Sequence, residues 1–241
     1  MSDRSADILV IVEGAKTDVR LMERLLRLYG IDKRHQIVSY NTNIYALYNS
    51  IFSDPNPESL DLQLHLRSRE TDPNKKTILD HTYAETLLIF DFDPHDIQFT
   101  EDKIRKMAEF FSESTEMGKL YINYPMVEAF YHVKSVVDTN YFTYVVTMDE
   151  LISKQYKGRV GVESCANNYN NFPANKDDCS IIIRQNISKA WHMLGLAANT
   201  TAPASLDILA AQIATMNDTE AIAVLCTCVF YIVDYNPALL V

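Results

Sequence analysis

The chain is short of positive charge: 22 lysines and arginines stand against 32 aspartates and glutamates, a formal net charge of −10 at pH 7. Loose attraction to a polyanion needs clusters of Lys and Arg that displace condensed counterions, so this balance argues against nonspecific attraction to nucleic acid. Any nucleic-acid contact has to be local, metal-assisted or supplied by a partner. Cysteine is also scarce. Cys165, Cys179, Cys226 and Cys228 form no CxxC pair and no convergent spacing with histidine, which argues against zinc and a disulfide framework and for plain reduced thiols. The longest apolar run, residues 221–233, is too short to span a bilayer and is followed by Asp234. It reads as a buried helix with Cys226 and Cys228 on different faces. Residues 1–7 carry no apolar leader, so the cytoplasm is the expected compartment. No internal repeat is present.

What the chain has is enough apolar material for a core: 47% of its 241 residues are hydrophobic and 22% are charged. That length suits one α/β domain with a helical extension. The N-terminal half alternates strand and helix as a parallel sheet requires. Residues 8–12 form an apolar strand, and residues 17–29 a helix with Met22, Leu25, Leu26 and Tyr29 on one face and Gly30 as its stop. Residues 35–40 read as a short strand and 43–52 as a second helix. Leucines alternate with polar residues over 60–66, which suits an edge strand, although leucine and glutamine also tolerate helix. Residues 67–80 read as an exposed loop or insertion. Strands follow at 85–91 and 119–124, separated by a helix from about Thr100 with Ile104, Met107, Ala108 and Phe111 on one face. Pro125 suits a first helical turn, so 126–133 is expected as a helix carrying Glu128. An aromatic strand at 141–146 precedes a capping box, Thr147 to Glu150, that starts another short helix. After an asparagine-rich loop at 167–178, residues 180–194 are amphipathic through Ile183, Ile187, Ala190, Trp191 and Leu194, and the C-terminal third is expected to be mostly helical.

The chemistry lies where apolar strands end in acids. Ile8, Leu9, Val10, Ile11 and Val12 run into Glu13 and Gly14; Leu87, Leu88, Ile89 and Phe90 run into Asp91, Phe92 and Asp93. On an extended segment residues i and i+2 share a face, so Asp91 and Asp93 can approach one cation, and Glu13 joins them if the two strands are neighbours. Gly14 is expected to let the chain turn sharply. Mg²⁺ takes a few carboxylates and waters and leaves positions for phosphate oxygens. Such a site serves phosphodiester chemistry. A lone strand-end aspartate is more often a helix cap, and Asp18 and Asp96 suit helix-start acids as well as support for a metal ligand. Acids on two strand ends, where open α/β sheets place their ligands, favour the metal.

These residues resemble the Toprim domain of topoisomerases, bacterial primases, the 5S ribosomal RNA maturase and OLD-type nucleases, in which a first strand ends in Glu-Gly and a later one in Asp-x-Asp. Val12-Glu13-Gly14-Ala15-Lys16-Thr17-Asp18 is most similar to the form in OLD-like and RloB-like proteins and the Toprim effector of the PARIS anti-phage system. Tyr124-Pro125-Met126-Val127-Glu128 resembles the Pro-x-x-Glu segment of that group. The resemblance implies an α/β, Rossmann-like, mostly parallel sheet flanked by helices over residues 1–135, with a C-terminal helical extension over 136–241. It also implies a hydrolase: an endonuclease for DNA or RNA, transfer RNA included, using Mg²⁺ or Mn²⁺, with a part in antiviral defence. Glu13 would be metal ligand or general base, Asp91 and Asp93 metal ligands, and Glu128 a second-site ligand. The expected partners are nucleic acid, an ATPase and further copies of the chain, with no membrane. The chain has no topoisomerase tyrosine domain, no zinc-binding primase module and no G-x-x-x-x-G-K-[ST] loop, so any gating ATPase is another chain.

Lys154, Lys157 and Arg159, with Tyr156 among them, form the densest basic stretch and a candidate phosphate clamp, although a solvated helix end is the commoner reading. Lys16 is a further candidate for phosphate contact. His95 and His132 receive no catalytic role, and Trp191 reads as core or interface. A haloacid-dehalogenase-like phosphatase also uses Asp-x-Asp, but there the motif opens the domain, whereas here Glu13-Gly14 precedes it and Pro94 follows. The stronger alternative is a non-catalytic, Toprim-derived regulatory or binding subunit.

Overall fold

The structure, a computed structural model, describes residues 7–113, 117–166 and 168–240. Residues 1–6 of the N-terminal segment and Asn167 of the asparagine-rich loop lie outside the described residues. Two compact units are formed, Met1–Phe90 with Asp102–Tyr121, and Asp91–Glu101 with Ile122–Val241. The first unit ends at Tyr121, and residues 91–101 belong to the second.

The first unit is built on a sheet. Strand β1 (Ile8–Val12) is buried along its whole length, as a strand covered on both faces must be. Helix α1 (Thr17–Leu28) buries Leu21, Met22, Leu25 and Leu26. Strand β2 (His35–Ser39) pairs parallel with β1, Ile8 opposite His35 and Val12 opposite Ser39. Helix α2 (Ile44–Phe52) is capped by Asn43, whose side chain accepts from Ala46 N–H at 2.9 Å.

The alternating leucines then form a helix, α3 (Leu62–Arg69), with Leu62 and Leu66 buried and Leu64 61% exposed. Asp61 starts it by accepting from Leu64 N–H at 2.8 Å. The segment expected as a loop holds α4 (Pro73–Leu79), which Asp72 caps through Asn74 N–H at 2.8 Å with proline in the first turn. Cap chemistry overrides polar composition at both places.

Strand β3 (Glu85–Asp91) pairs parallel with β1, Ile8 opposite Glu85 and Val12 opposite Ile89. Helix α5 (Glu101–Phe110) buries Ile104, Met107 and Ala108, and β4 (Lys119–Asn123) follows. The four-stranded sheet is all parallel in the order β2-β1-β3-β4, the α/β, helix-flanked, Rossmann-like architecture expected.

In the second unit, residues 126–133 make a 3₁₀ turn at Val127–Tyr131 instead of the expected helix. Met126 is extended, and Val127 N–H goes to a side chain rather than into a helical ladder. A 3₁₀ turn, Tyr141–Thr143, replaces most of the aromatic strand and leaves β5 (Val145–Thr147). The capping box of Thr147 and Glu150 opens α6 (Met148–Ile152) as expected. Helices α7 (Tyr156–Glu163), α8 (Lys176–Met193) and α9 (Ser205–Thr219) follow. Ile183, Ile187 and Ala190 of α8 are buried, whereas Trp191 is half-buried and donates to the Thr201 carbonyl at 2.7 Å.

The apolar run 221–233 is not one helix. It begins as β6 (Ala221–Ala223), antiparallel to β5, and reaches α10 (Tyr231–Tyr235) through a 3₁₀ turn at Cys228–Phe230. Buried Gln212 fixes the strand by donating to Ala223 O at 2.8 Å and accepting from Ala223 N–H at 3.1 Å. Cys226 and Cys228, expected to diverge on a helix, bring their sulfurs to 3.4 Å. Among the described residues no helix is long and apolar enough to cross a membrane.

Candidate functional site

In the sheet unit, Glu13 stands one residue beyond β1. Its N–H donates to Ile89 O at 3.0 Å and its carbonyl accepts from Asn41 N–H at 2.8 Å, so its backbone is fixed at the carboxyl end of the sheet. The side chain is half-buried. The chain bends at Glu13 and turns at Ala15 and Lys16, and at Gly14 a Cβ would lie 2.5 Å from Asp18 Oδ2, so its lack of a side chain also makes room for a buried carboxylate at the start of α1. Lys16 is exposed just before α1 and makes no side-chain cap bond.

The second unit holds Asp91, Asp93, Glu128 and Lys157. Asp91 is buried and accepts from Val127 N–H at 2.8 Å, which ties the end of β3 to the 3₁₀ turn that carries Glu128. Phe92 N–H reinforces the tie by donating to Asn123 O at 3.0 Å and Pro125 O at 3.1 Å. Asp93 does not continue the extended strand. Its φ is +37°, a left-handed conformation that aspartate tolerates better than most residues, so the alternation that would place it beside Asp91 stops at Phe92. Its carbonyl accepts from Asp96 N–H at 3.0 Å, closing a turn in which Asp96 accepts from Gln98 N–H at 2.7 Å. Asp96 thus shapes this turn.

Burial pushes the Asp93 carboxyl up to about 6, with His95 and Lys157 opposing the rise and Asp96 and Glu128 adding to it. Glu128 is 7% exposed and meets Lys157 Nζ through Oε1 at 3.1 Å. Its other oxygen, Oε2, is buried without a hydrogen-bond partner. Burial pulls the Lys157 ammonium down, but Glu128, then Asp91 and Asp93, more than reverse this, and its pKa is raised overall. An ammonium therefore neutralises the acids from the first turn of α7.

The other basic candidates are placed differently. Arg159 pairs with Glu150 at 3.2 Å, donates to Val145 O at 2.7 Å and lies over the Tyr156 ring, bracing α7 against β5 and α6. Lys154 has φ +57° in the turn after α6 and is exposed. His132 is buried, with Nε2 3.1 Å from Glu163, Nδ1 3.3 Å from the Tyr156 hydroxyl and its ring stacked on Tyr144. Burial lowers its pKa despite Glu163, so it is a neutral packing element beside the site. The Glu128–Lys157 pair escaped sequence reading because it joins a turn to a distant helix; the acid after Pro125 was its one local signal.

Asp91, Asp93 and Glu128 supply hard oxygen donors alone, the set that Mg²⁺ or Mn²⁺ takes. Glu128 Oε2, buried and without a hydrogen-bond partner among the described residues, suits a cation as well, because such an oxygen is costly to leave unpaired. As they stand, no three His, Cys, Asp or Glu side chains among the described residues are gathered to hold a metal ion. Compared with protein-family models, curated proteins and solved structures, the chain matches none of them.

Proposed function

We propose that this chain is a Mg²⁺- or Mn²⁺-dependent endonuclease acting on phosphodiester bonds of DNA or RNA, transfer RNA among its candidate targets. Asp91, Asp93 and Glu128 are its metal ligands. The observation that carries this reading is the buried, unpartnered Oε2 of Glu128 beside an ammonium that already balances the acids. Bound there, the metal would polarise a phosphoryl oxygen and ease deprotonation of an attacking water. The chain's own part is to hold the carboxylates in place and to tune Asp93. Lys157, which pairs with Glu128, is the residue that would donate to a phosphate oxygen. Glu13 enters as ligand or general base through the Toprim resemblance, as do Lys16 as a phosphate contact, an ATPase partner, a cytoplasmic location and a part in anti-phage defence.

A second reading is a non-catalytic binding subunit, favoured by the absence of a gathered three-residue metal group among the described residues. Purified protein incubated with plasmid and total RNA, with Mg²⁺, Mn²⁺ or EDTA, separates the two. The nuclease cuts at least one substrate in a metal-dependent way, and Glu13→Ala, Asp91→Ala and Glu128→Gln each lower the rate by roughly 100-fold or more in protein that stays folded at the assay temperature. No cutting of either substrate, or only cutting that all three changes leave intact and that therefore comes from a contaminant, supports the binding subunit.

A further inference from the structure

The sheet unit contains a cavity of about 260 Å³ at the carboxyl ends of β1 and β2. Its floor is apolar, made by Ile11, Val38, Leu66 and Leu79, and its rim is polar, carrying Tyr40, Asn41, Arg69 and Thr71. Ligand crevices of open parallel sheets occur at this edge, and an apolar floor with a few convergent polar groups is the ordinary make-up of a small-molecule site.

The charges around the cavity identify its ligand class. Glu70, the one acid in its lining, is fully engaged: Oε1 accepts from Thr71 N–H at 2.7 Å and Asp72 N–H at 2.9 Å, and Oε2 lies 3.8 Å from Lys75 Nζ. Lys75 in turn donates to Ser39 O at 2.6 Å. Arg69, the one base in the lining, has neither an ion pair nor a hydrogen bond among the described residues. Arg69 is exposed, and its charge is felt at Tyr40 and at His65. A C-terminal arginine can simply complement the helix dipole, but that role needs no cavity beside it and no aromatic wall. The Tyr40 ring is held in place, edge-on to Phe90 at 6.1 Å between ring centres and bonded through its hydroxyl to Ser50.

We propose that this cavity binds a nucleoside monophosphate, with the base or ribose on the Tyr40 wall and apolar floor and the phosphate on Arg69, Asn41 and Thr71. A guanidinium fork matches phosphate oxygens in pairs, and a braced tyrosine gives a flat surface for a base. The volume suits one nucleotide rather than a length of strand. The moiety can come from a free nucleotide or from the phosphorylated end of a strand. The site requires neither metal nor cleavage, so it stands apart from the nuclease reading.

The test is calorimetric titration in EDTA with nucleoside 5′-monophosphates, the matching nucleosides, inorganic phosphate, and 5′-phosphorylated and 5′-hydroxyl oligonucleotides. The monophosphates bind, more tightly than nucleoside or inorganic phosphate. Arg69→Gln weakens them by about tenfold or more, Arg69→Lys weakens them less, and Arg67→Gln on the same helix leaves them unchanged. A tighter phosphorylated oligonucleotide identifies a strand end as the source, and a tighter mononucleotide identifies a free ligand. No binding by the folded protein, equal affinity in Arg69→Gln, or inorganic phosphate binding as well as the nucleotides overturns the proposal.

Discussion

Asp93 shows how a single buried carboxyl can cost the fold stability. Its pKa in the folded protein is about 6 against an ordinary 3.8, chiefly because it is buried. Between those values the folded state keeps a proton that the unfolded chain has released, so this group's stabilising contribution falls as pH rises through the window and the full penalty remains above it. Asp93→Asn is therefore expected to raise the unfolding free energy, measured by urea titration near neutral pH, by about 1–2 kcal/mol allowing for solvent screening of a half-buried site, with the gain vanishing below about pH 4. Saturating Mg²⁺ should stabilise the parent protein and not the variant. Lys189 presents the opposite sign. It is 1% exposed and donates to Tyr141 O at 2.9 Å and Tyr144 O at 2.7 Å, and burial lowers its pKa to about 7. Above that value the folded protein has lost a proton that the unfolded chain keeps, so this group makes stability rise with pH until the unfolded lysine titrates. Urea titrations from about pH 7 to about pH 9 should show a rise of at most about 1.4 kcal/mol per unit from Lys189. Lys189→Met should remove that component.

The strands and helices are set by local chemistry of uneven legibility. Gly118, just before β4, combines φ +99° with a site where a Cβ would lie 2.5 Å from Leu88 Cδ1. Gly118→Ala should lower unfolding free energy by about 2 kcal/mol or more, from strain and overpacking together, measured by thermal or urea unfolding. Thr147→Ala removes one half of the capping box that opens α6 and should cost about 1 kcal/mol. That box was readable in the sequence, as were β1, β3 and α1, because a continuous apolar run or a one-sided stripe has few other homes in an α/β fold. Helices α3 and α4 were masked by polar composition, although Asp61 and the Asp72-Pro73 pair mark their starts. The run 221–233 misled for a physical reason: a segment buried on every side has no periodicity to distinguish strand, turn and helix. Its conformation is decided by Gln212, on the preceding helix, and by β5, a partner that lies far away in sequence. At the candidate site, the strand-end acids and Glu128 were legible, but the left-handed turn at Asp93 and the pairing of Glu128 with Lys157 were not, since a pairing between distant residues leaves no local pattern.

The chain passes between its two units at three places, after Phe90, after Glu101 and after Tyr121. A sheet with its own insertions therefore cannot be released from the rest by one cut, and the boundary suggested by motif coverage, at residue 135, divides the second unit internally. A fragment of residues 1–135 would retain Val127, Ala129, Phe130, Tyr131 and Val133, each no more than 2% exposed in the whole chain. It would lose Phe172, Tyr169 and Tyr156, which meet Phe130, Tyr131 and His132 ring to ring. Glu128 would lose Lys157 as well and retain a carboxylate with no counter-charge from α7. Burying an aromatic side chain contributes roughly 2–3 kcal/mol, so uncovering several of them exceeds what a small sheet unit can absorb. The fragment is expected to aggregate or to bind a hydrophobic dye, whereas the full chain unfolds cooperatively and stays monodisperse. A soluble 1–135 fragment with a sharp thermal transition and unchanged Mg²⁺ affinity would show that the acidic residues do not depend on α7, and would remove Lys157 from the proposed site.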